Sequence, residues 1–174
     1  DYVRSEDIPN IELYMDQVTS FMDEQLSSSK RYDDDKILTK TMINNYAKNN
    51  LLPPPVKKKY SKEHVVVMIF IYYFKTILSI KDIETILTPI TEKYFDTDSA
   101  VDVASIYEEV CDTAKSQIQN LKDEVREAYE TSQNTFKDME GLSDSDREYL
   151  QLFSLISSLS FDVYAKKALI ERIN

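Results

Sequence analysis

The chain has 174 residues, a formal net charge of −10 and a hydrophobic content of 42%, enough for one sizeable domain or two small ones. A single glycine, Gly141, excludes the glycine-rich loops of P-loop and dinucleotide-binding folds, and long stretches without glycine or proline favour an all-α protein. Cys111 is the only cysteine, which excludes an intramolecular disulfide.

The sequence contains nothing that resembles a signal peptide. Its longest apolar run, residues 65–74, has about half of the roughly 20 residues that a membrane-spanning helix needs. We therefore expect a cytoplasmic protein that does not enter a membrane.

The first predicted helix follows Pro9. Asn10 belongs to a residue type that caps helix N-termini well. Apolar residues then recur at helical spacing to about Leu26, at Ile11, Tyr14, Met15, Val18, Phe21 and Met22. Residues 27–35 are polar and turn-forming without an apolar period, which predicts a loop.

The second predicted helix begins near Thr39 or Thr41 and ends at about Asn50. Its inner face carries Ile43, Tyr46 and Ala47. The opposite stripe carries lysines, which suit phosphates, and amides, which suit base edges. Its members are Lys40, Thr41, Asn44, Asn45 and Lys48.

Three prolines and a lysine cluster follow this helix. Pro53, Pro54 and Pro55 favour an extended path, and Lys57, Lys58 and Lys59 come directly after them on a short, stiff excursion that can act as a wing. Residues 36–62 hold seven lysines and no acidic residue, so the rest of the chain has 14 basic against 31 acidic residues. This concentration of positive charge indicates a polyanionic partner for the segment.

The next two predicted helices form the centre of the first domain. Ser61 caps a helix from His64 to about Leu78 that is apolar all round and therefore central to the core. We interpret the lone His64 as an edge residue and not as a metal ligand. Ser79 and Asp82 begin a short helix that Pro89 closes.

The C-terminal part predicts a helical hairpin. Residues 101–139 contain no glycine or proline and carry an apolar stripe, which predicts one long helix. The turn lies around Gly141, and Ser143 with Asp146 begins the last helix. Residues 149–170 are rich enough in Leu, Phe and Ile to be buried on more than one side, so we expect two antiparallel helices.

The sequence offers no pattern for catalysis. Its carboxylates have no accompanying histidine, cysteine cluster or glycine loop, so solvated helix faces explain them better than acid–base chemistry. The run Asp33 to Asp35 lacks the alternate spacing and the glycine of a calcium loop. We predict a non-enzymatic protein without catalytic residues, metal or cofactor.

Short motifs resemble the winged helix-turn-helix of MerR-type bacterial regulators. They are the Leu-Leu-Pro that ends at Pro53, Tyr60-Ser61-Lys62-Glu63 before the central helix, and the segment around Leu78-Ser79-Ile80. More narrowly, IPNIELYMDQVTSFM and LTKTMINNYAKNNLLPPPVKKKYSKEH resemble a domain-of-unknown-function family of Gram-positive bacteria that is itself MerR-like.

The resemblance implies an all-α protein with a MerR-like winged helix-turn-helix domain at residues 7–90. A long antiparallel helical hairpin at residues 100–174 then forms a homodimer and can hold a small-molecule effector. The expected function is a transcriptional regulator that binds double-stranded DNA, with the second helix in the major groove and the wing on phosphates. The expected DNA-binding residues are Lys40, Thr41, Asn44, Asn45, Lys48, Lys57, Lys58, Lys59 and Tyr60.

Two other functions fit the same sequence. A protein-interaction module with a degenerate helix-turn-helix would use the lysines on an acidic partner or on its own acidic C-terminal half. A helical small-molecule sensor would hold its ligand between the last two helices.

Overall fold

The computed structural model describes residues 2–173 and confirms a mostly helical protein. The helices are α1 Met15–Gln25, α2 Lys40–Lys48, α3 Lys62–Phe74, α4 Ile80–Tyr94, α5 Val103–Gln133 and α6 Asp144–Ile173. The strands are β1 Leu13–Tyr14 and β2 Lys59–Tyr60. The chain divides into two compact units between Asp112 and Thr113, so α5 begins in the first unit and continues into the second. No helix within residues 2–173 combines the length and the apolar character that crossing a bilayer requires.

Two short strands accompany the helices. They pair antiparallel, with Leu13 opposite Tyr60 and Tyr14 opposite Lys59. Leu13 and Tyr60 are buried, which explains why residues predicted to open the first helix are extended instead. That helix begins at Met15 and not after Asn10, because the backbone N–H of Tyr14 donates to the Gln17 side chain at 2.8 Å. Ile11, predicted on the buried face, is 65% exposed.

The central helix is α3, as the sequence predicts. Every residue from Val65 to Ile71 is buried, and the Ser61 hydroxyl accepts a hydrogen bond from the backbone N–H of His64. The helix ends at Phe74 and not near Leu78, because the chain turns there and the Ser79 hydroxyl caps the next helix by accepting from the backbone N–H of Asp82 at 3.2 Å. His64 itself is 3% exposed, so its interpretation as an edge residue is wrong.

The helix α4 continues through Pro89 to Tyr94, so the prediction that Pro89 closes it is wrong. Pro89 is exposed, and the carbonyl that its ring leaves without a helical partner belongs to the exposed Thr85. Because water can reach that carbonyl, a proline at this position interrupts one hydrogen bond without ending the helix.

The second unit is an antiparallel pair formed by α6 and the later part of α5. The Gln151 side chain donates to the backbone carbonyl of Gln133 at 3.0 Å, and Lys166 lies 3.8 Å from Glu124. The sequence predicted α5 to reach Met139, but it ends at Gln133, where Arg147 from α6 donates to carbonyls of the connecting loop. The cap by Ser143 is confirmed, because its hydroxyl accepts from the backbone N–H of Asp146 at 3.1 Å.

Many apolar residues of α6 are exposed. Of the α6 residues, Gln151 alone is buried, so burial of residues 149–170 on more than one side is wrong for a single chain. Two helices cover only one face of each other, and the remaining apolar side chains face solvent. Those at least half exposed include Tyr149, Leu152, Phe153, Ile156, Phe161, Val163, Tyr164 and Leu169.

Candidate nucleic-acid interface

The helix α2 presents the polar side that its sequence predicts. Ile43 and Tyr46 are buried, whereas Lys40, Thr41, Asn44, Asn45 and Lys48 are all exposed, and these five residues are called the polar stripe below. The helix starts at the expected place, because the Thr39 hydroxyl accepts from the backbone N–H of Met42 at 3.2 Å. The stripe is therefore available to a ligand within the first unit.

The lysine cluster lies at the tip of a tight hairpin. Val56 and Lys59 form an antiparallel bridge in which the backbone N–H of Lys59 donates to the Val56 carbonyl at 2.9 Å. The two residues between them, Lys57 and Lys58, have φ angles of 50° and 65°. Positive φ at both central residues is the type I′ geometry, which normally uses Asn-Gly. Residues Val56 to Lys59 are called the basic hairpin below.

Two lysines in this conformation are strained. A side chain other than glycine in the left-handed region has its Cβ close to the neighbouring carbonyl, at a cost of about 1–2 kcal/mol per residue. Lys57 and Lys58 are also exposed, so no packing offsets the strain. The two lysines place positive charge at the tip of the hairpin, which the favoured Asn-Gly pair would not do.

The cationic side chains differ in their partners. Within the part of the chain that the structure describes, Lys57, Lys58 and Lys48 make no ion pair. Lys59 lies 3.6 Å from Glu12 and 5.5 Å from the centre of the Tyr14 ring. Lys40 pairs with Asp16.

The polar stripe and the basic hairpin meet at one cleft. Asn44 from α2 and Lys58 from the hairpin line a depression of about 410 Å³ together with Tyr14 of β1, Asp16 of α1 and Tyr60 of β2. A single ligand can therefore contact an amide, an ammonium group and an aromatic ring at the same time. The structure thus brings Asn44 of α2 together with Lys58 of the predicted wing.

Tyr60 lines the same cleft, but little of its side chain is accessible. The side chain is 4% exposed, its residue pairs with Leu13, and burial raises the pKa of its phenol. Tyr14, which is 55% exposed, supplies the accessible ring instead. Sequence reasoning missed Tyr14 because it assigned the residue to the apolar face of a helix, whereas the structure places it in a strand in which Leu13 is buried and Tyr14 is exposed.

His64 fastens the base of the basic hairpin. Its Nδ1 accepts from the backbone N–H of Ser61 at 3.0 Å, and its Nε2 lies 3.4 Å from the carbonyl of Pro54. The ring also packs edge-on against Tyr60 and Phe95. Sequence reasoning missed this role, although the three-residue spacing of Ser61 and His64 is the spacing of a capping box.

The neutral form of His64 fits these contacts. Burial lowers the pKa of the imidazole, and the contact with the Pro54 carbonyl and the nearby Asp96 carboxylate partly oppose that shift. A neutral ring accepts at Nδ1 and donates at Nε2, which matches the two partners on either side of the hairpin.

The structure offers no metal centre among residues 2–173, where no group of three or more His, Cys, Asp or Glu side chains is placed to hold an ion. In the acidic run, the carboxylate of Asp35 accepts from the backbone N–H groups of Arg31 and Tyr32 at 3.1 and 3.0 Å. That contact stabilises the loop locally. Cys111 is a buried free thiol.

Comparison with protein-family models gives a match that contains all of these site residues. A model described as Domain of unknown function (DUF1836) matches residues 3–110. Neither the curated proteins nor the solved structures compared with the chain gave a match.

The first prediction concerns the titration of His64. Because His64 is the only histidine, its imidazole resonance in an NMR spectrum needs no assignment by mutation. We expect a pKa below the ordinary value of about 6.5. The unfolded chain then binds more protons below about pH 6.5, so the free energy of unfolding falls as the pH drops below that value. A measured pKa at or above 6.5 would contradict the buried, neutral assignment.

The second prediction concerns strain in the basic hairpin. Replacing Lys57→Asn together with Lys58→Gly installs the preferred type I′ pair and should raise the free energy of unfolding by about 1–2 kcal/mol. The measurement is urea unfolding followed by circular dichroism. The matched control, Lys57→Ala with Lys58→Ala, removes the same charges but keeps a Cβ at both positions, so it should not be stabilised. Equal stability of the two variants would show that the turn is not strained.

Proposed function

We propose that the chain, which belongs to the DUF1836 family of domains of unknown function, is a non-enzymatic cytoplasmic regulator of transcription that binds double-stranded DNA. The observation that carries the proposal is the pair Lys57 and Lys58. They are unpaired within the described residues, exposed and held in a strained turn beside the polar stripe.

The proposed contacts follow from the chemistry of each side chain. Lys57 and Lys58 neutralise backbone phosphates, and the release of counterions makes the affinity strongly dependent on salt. Asn44 and Asn45 on α2 read base edges in the major groove, where an amide can bond adenine in two places. Lys40, Thr41, Lys48 and Lys59 extend the phosphate contacts on either side.

The motifs that resemble MerR-type regulators support the same assignment. In a winged helix-turn-helix one helix enters the major groove and the wing contacts the backbone nearby. Here α2 and the basic hairpin border a common cleft, which suits simultaneous contact with one duplex. We assign DNA binding to residues 7–90 on this basis.

The exposed apolar face of α6 supports a homodimer through residues 100–174. Tyr149, Leu152, Phe153 and Ile156 recur at three-residue and four-residue spacing, and each is more than half exposed. A second copy that places the same face against it would bury these side chains in a bundle of four helices. A two-fold dimer would read a nearly palindromic DNA site.

A small-molecule effector is a second candidate role for the hairpin. Leu121 and Val125 of α5 and Leu159 of α6 line a cleft of about 300 Å³, which is at the lower end of the size range of ligand pockets. Mass spectrometry of the purified protein, released under denaturing conditions, would detect a bound molecule. The protein-interaction alternative uses the same exposed apolar face for a different chain.

The third prediction tests DNA binding directly. Replacing Lys57→Ala with Lys58→Ala should weaken binding evenly across duplex sequences and reduce the slope of log K against log salt by about 2. Fluorescence anisotropy with labelled duplexes at several salt concentrations measures both quantities. The matched control replaces Lys81 and Lys93, two exposed lysines of α4, and should leave the slope nearly unchanged.

Two outcomes would contradict this assignment. An unchanged affinity of the Lys57→Ala, Lys58→Ala variant would remove the basic hairpin from the interface. Absence of binding by the unmodified protein to any duplex at low salt would instead favour the protein-interaction module.

The fourth prediction tests the homodimer. Phe153→Glu with Ile156→Glu should convert a dimer into a folded monomer, because both side chains are more than half exposed in the single chain. Sedimentation equilibrium measures the mass, and circular dichroism checks the helix content. The control Ala165→Glu places one such charge on the opposite side of α6 from Ile156 and should leave the dimer intact. A monomeric unmodified protein at high micromolar concentration would contradict the proposal.

A further inference from the structure

Two carboxylates reach the proposed DNA-binding surface from a different part of the chain. Glu12 lies 3.6 Å from Lys59, and Asp16 pairs with Lys40. Both acids precede the segment 36–62, which holds seven lysines and no acidic residue, by at least 20 residues in the sequence. The pairing of Tyr14 with Lys59 places the segment around β1 beside the basic hairpin, and α1 packs against α2.

The two ion pairs divide the lysines into two sets. Lys40 and Lys59 each have a carboxylate partner, whereas Lys57, Lys58 and Lys48 have none within residues 2–173. Lys40 precedes Asn44 by four residues on α2, Lys59 follows Lys58 in the basic hairpin, and Asp16 itself lines the cleft that Asn44 and Lys58 share. A phosphate that approaches either paired lysine therefore meets a negative group already in position.

We propose that Glu12 and Asp16 act as internal competitors of DNA phosphate, a role that rests on the proposed function. Each occupies one ammonium group when DNA is absent, and each must be displaced or tolerated when a phosphate binds. The carboxylates lower the affinity for any duplex evenly across sequences, and the amides of α2 continue to read the bases. The two carboxylates thereby weaken the binding of DNA that lacks the preferred sequence.

The exposure of both pairs sets the size of the effect. The side chains of Lys40 and Asp16 are 60% and 75% exposed, and those of Lys59 and Glu12 are 36% and 56% exposed. Water and salt screen such pairs, so each competes only modestly with a phosphate. Removal of one carboxylate charge should therefore raise the affinity for DNA by about twofold to fivefold.

Asp16 could also have a purely structural role, which the experiment must distinguish from competition with phosphate. It lies in the first turn of α1, where a carboxylate stabilises the positive end of the helix dipole. A structural role predicts a change in stability without any dependence on Lys40. Competition predicts that Asp16 and Lys40 are coupled in DNA binding.

The experiment measures the affinity of full-length variants for a mixed-sequence duplex at two salt concentrations. Asp16→Asn and Glu12→Gln should each bind about two to five times more tightly than the unmodified protein, and their combination more tightly still. Lys40→Ala should reduce affinity more in the Asp16→Asn background than in the unmodified background. The control Asp23→Asn removes a carboxylate of the same helix whose partner, Lys30, lies 2.7 Å away, and should leave affinity unchanged.

The outcomes separate this inference from the proposed function. If Lys57→Ala with Lys58→Ala weakens binding while Asp16→Asn and Glu12→Gln leave it unchanged, the competitor role is overturned and DNA binding stands. If Asp23→Asn tightens binding as much as Asp16→Asn, a general charge effect replaces the competitor role. If neither the unmodified protein nor the variant that combines Asp16→Asn with Glu12→Gln binds a duplex at low salt, both proposals fail. Should Asp16→Asn unfold, Glu12→Gln alone decides, since Glu12 lies outside every helix.

Discussion

The burial of α3 is the constraint on which the first unit depends. Every residue from Val65 to Ile71 is removed from solvent, and a fully buried apolar side chain of this size contributes about 1.5–3 kcal/mol. The first turn of α3 connects this core to the basic hairpin. His64 accepts a hydrogen bond from the backbone N–H of Ser61, which follows the hairpin, and lies against the carbonyl of Pro54, which precedes it. The hairpin is thus fastened at both ends to the core.

The tip of the basic hairpin presents charge at the expense of stability. Lys57 and Lys58 occupy a turn that Asn and Gly form more easily, and they do so exposed to solvent. The acidic remainder of the chain would repel a polyanion elsewhere, so the DNA binding that we propose would be confined to this surface. In our proposal, Glu12 and Asp16 compete with DNA phosphate for Lys59 and Lys40. We propose that the site balances the exposed charge of Lys57 and Lys58 against the competition of Glu12 and Asp16 for Lys59 and Lys40.

Local signals in the sequence predicted much of this structure. The caps at Ser61, Ser79 and Ser143 and the division of α2 into two faces depend on residues three or four apart. Features that depend on distant residues escaped prediction: the pairing of β1 with β2, the clamp by His64 and the approach of Asp16 to Lys40. The apolar pattern of α6 predicts burial that a single chain does not provide, and a second molecule packed against this helix would be needed to provide it.

The most direct test of the central claim is a titration of the isotope-labelled protein with a mixed-sequence duplex, followed by amide NMR at low salt. The account predicts that the largest shift changes occur at Asn44, Asn45, Lys57 and Lys58, on the polar stripe and the tip of the basic hairpin. Shift changes confined to residues 113–173, or none at saturating duplex, would contradict it.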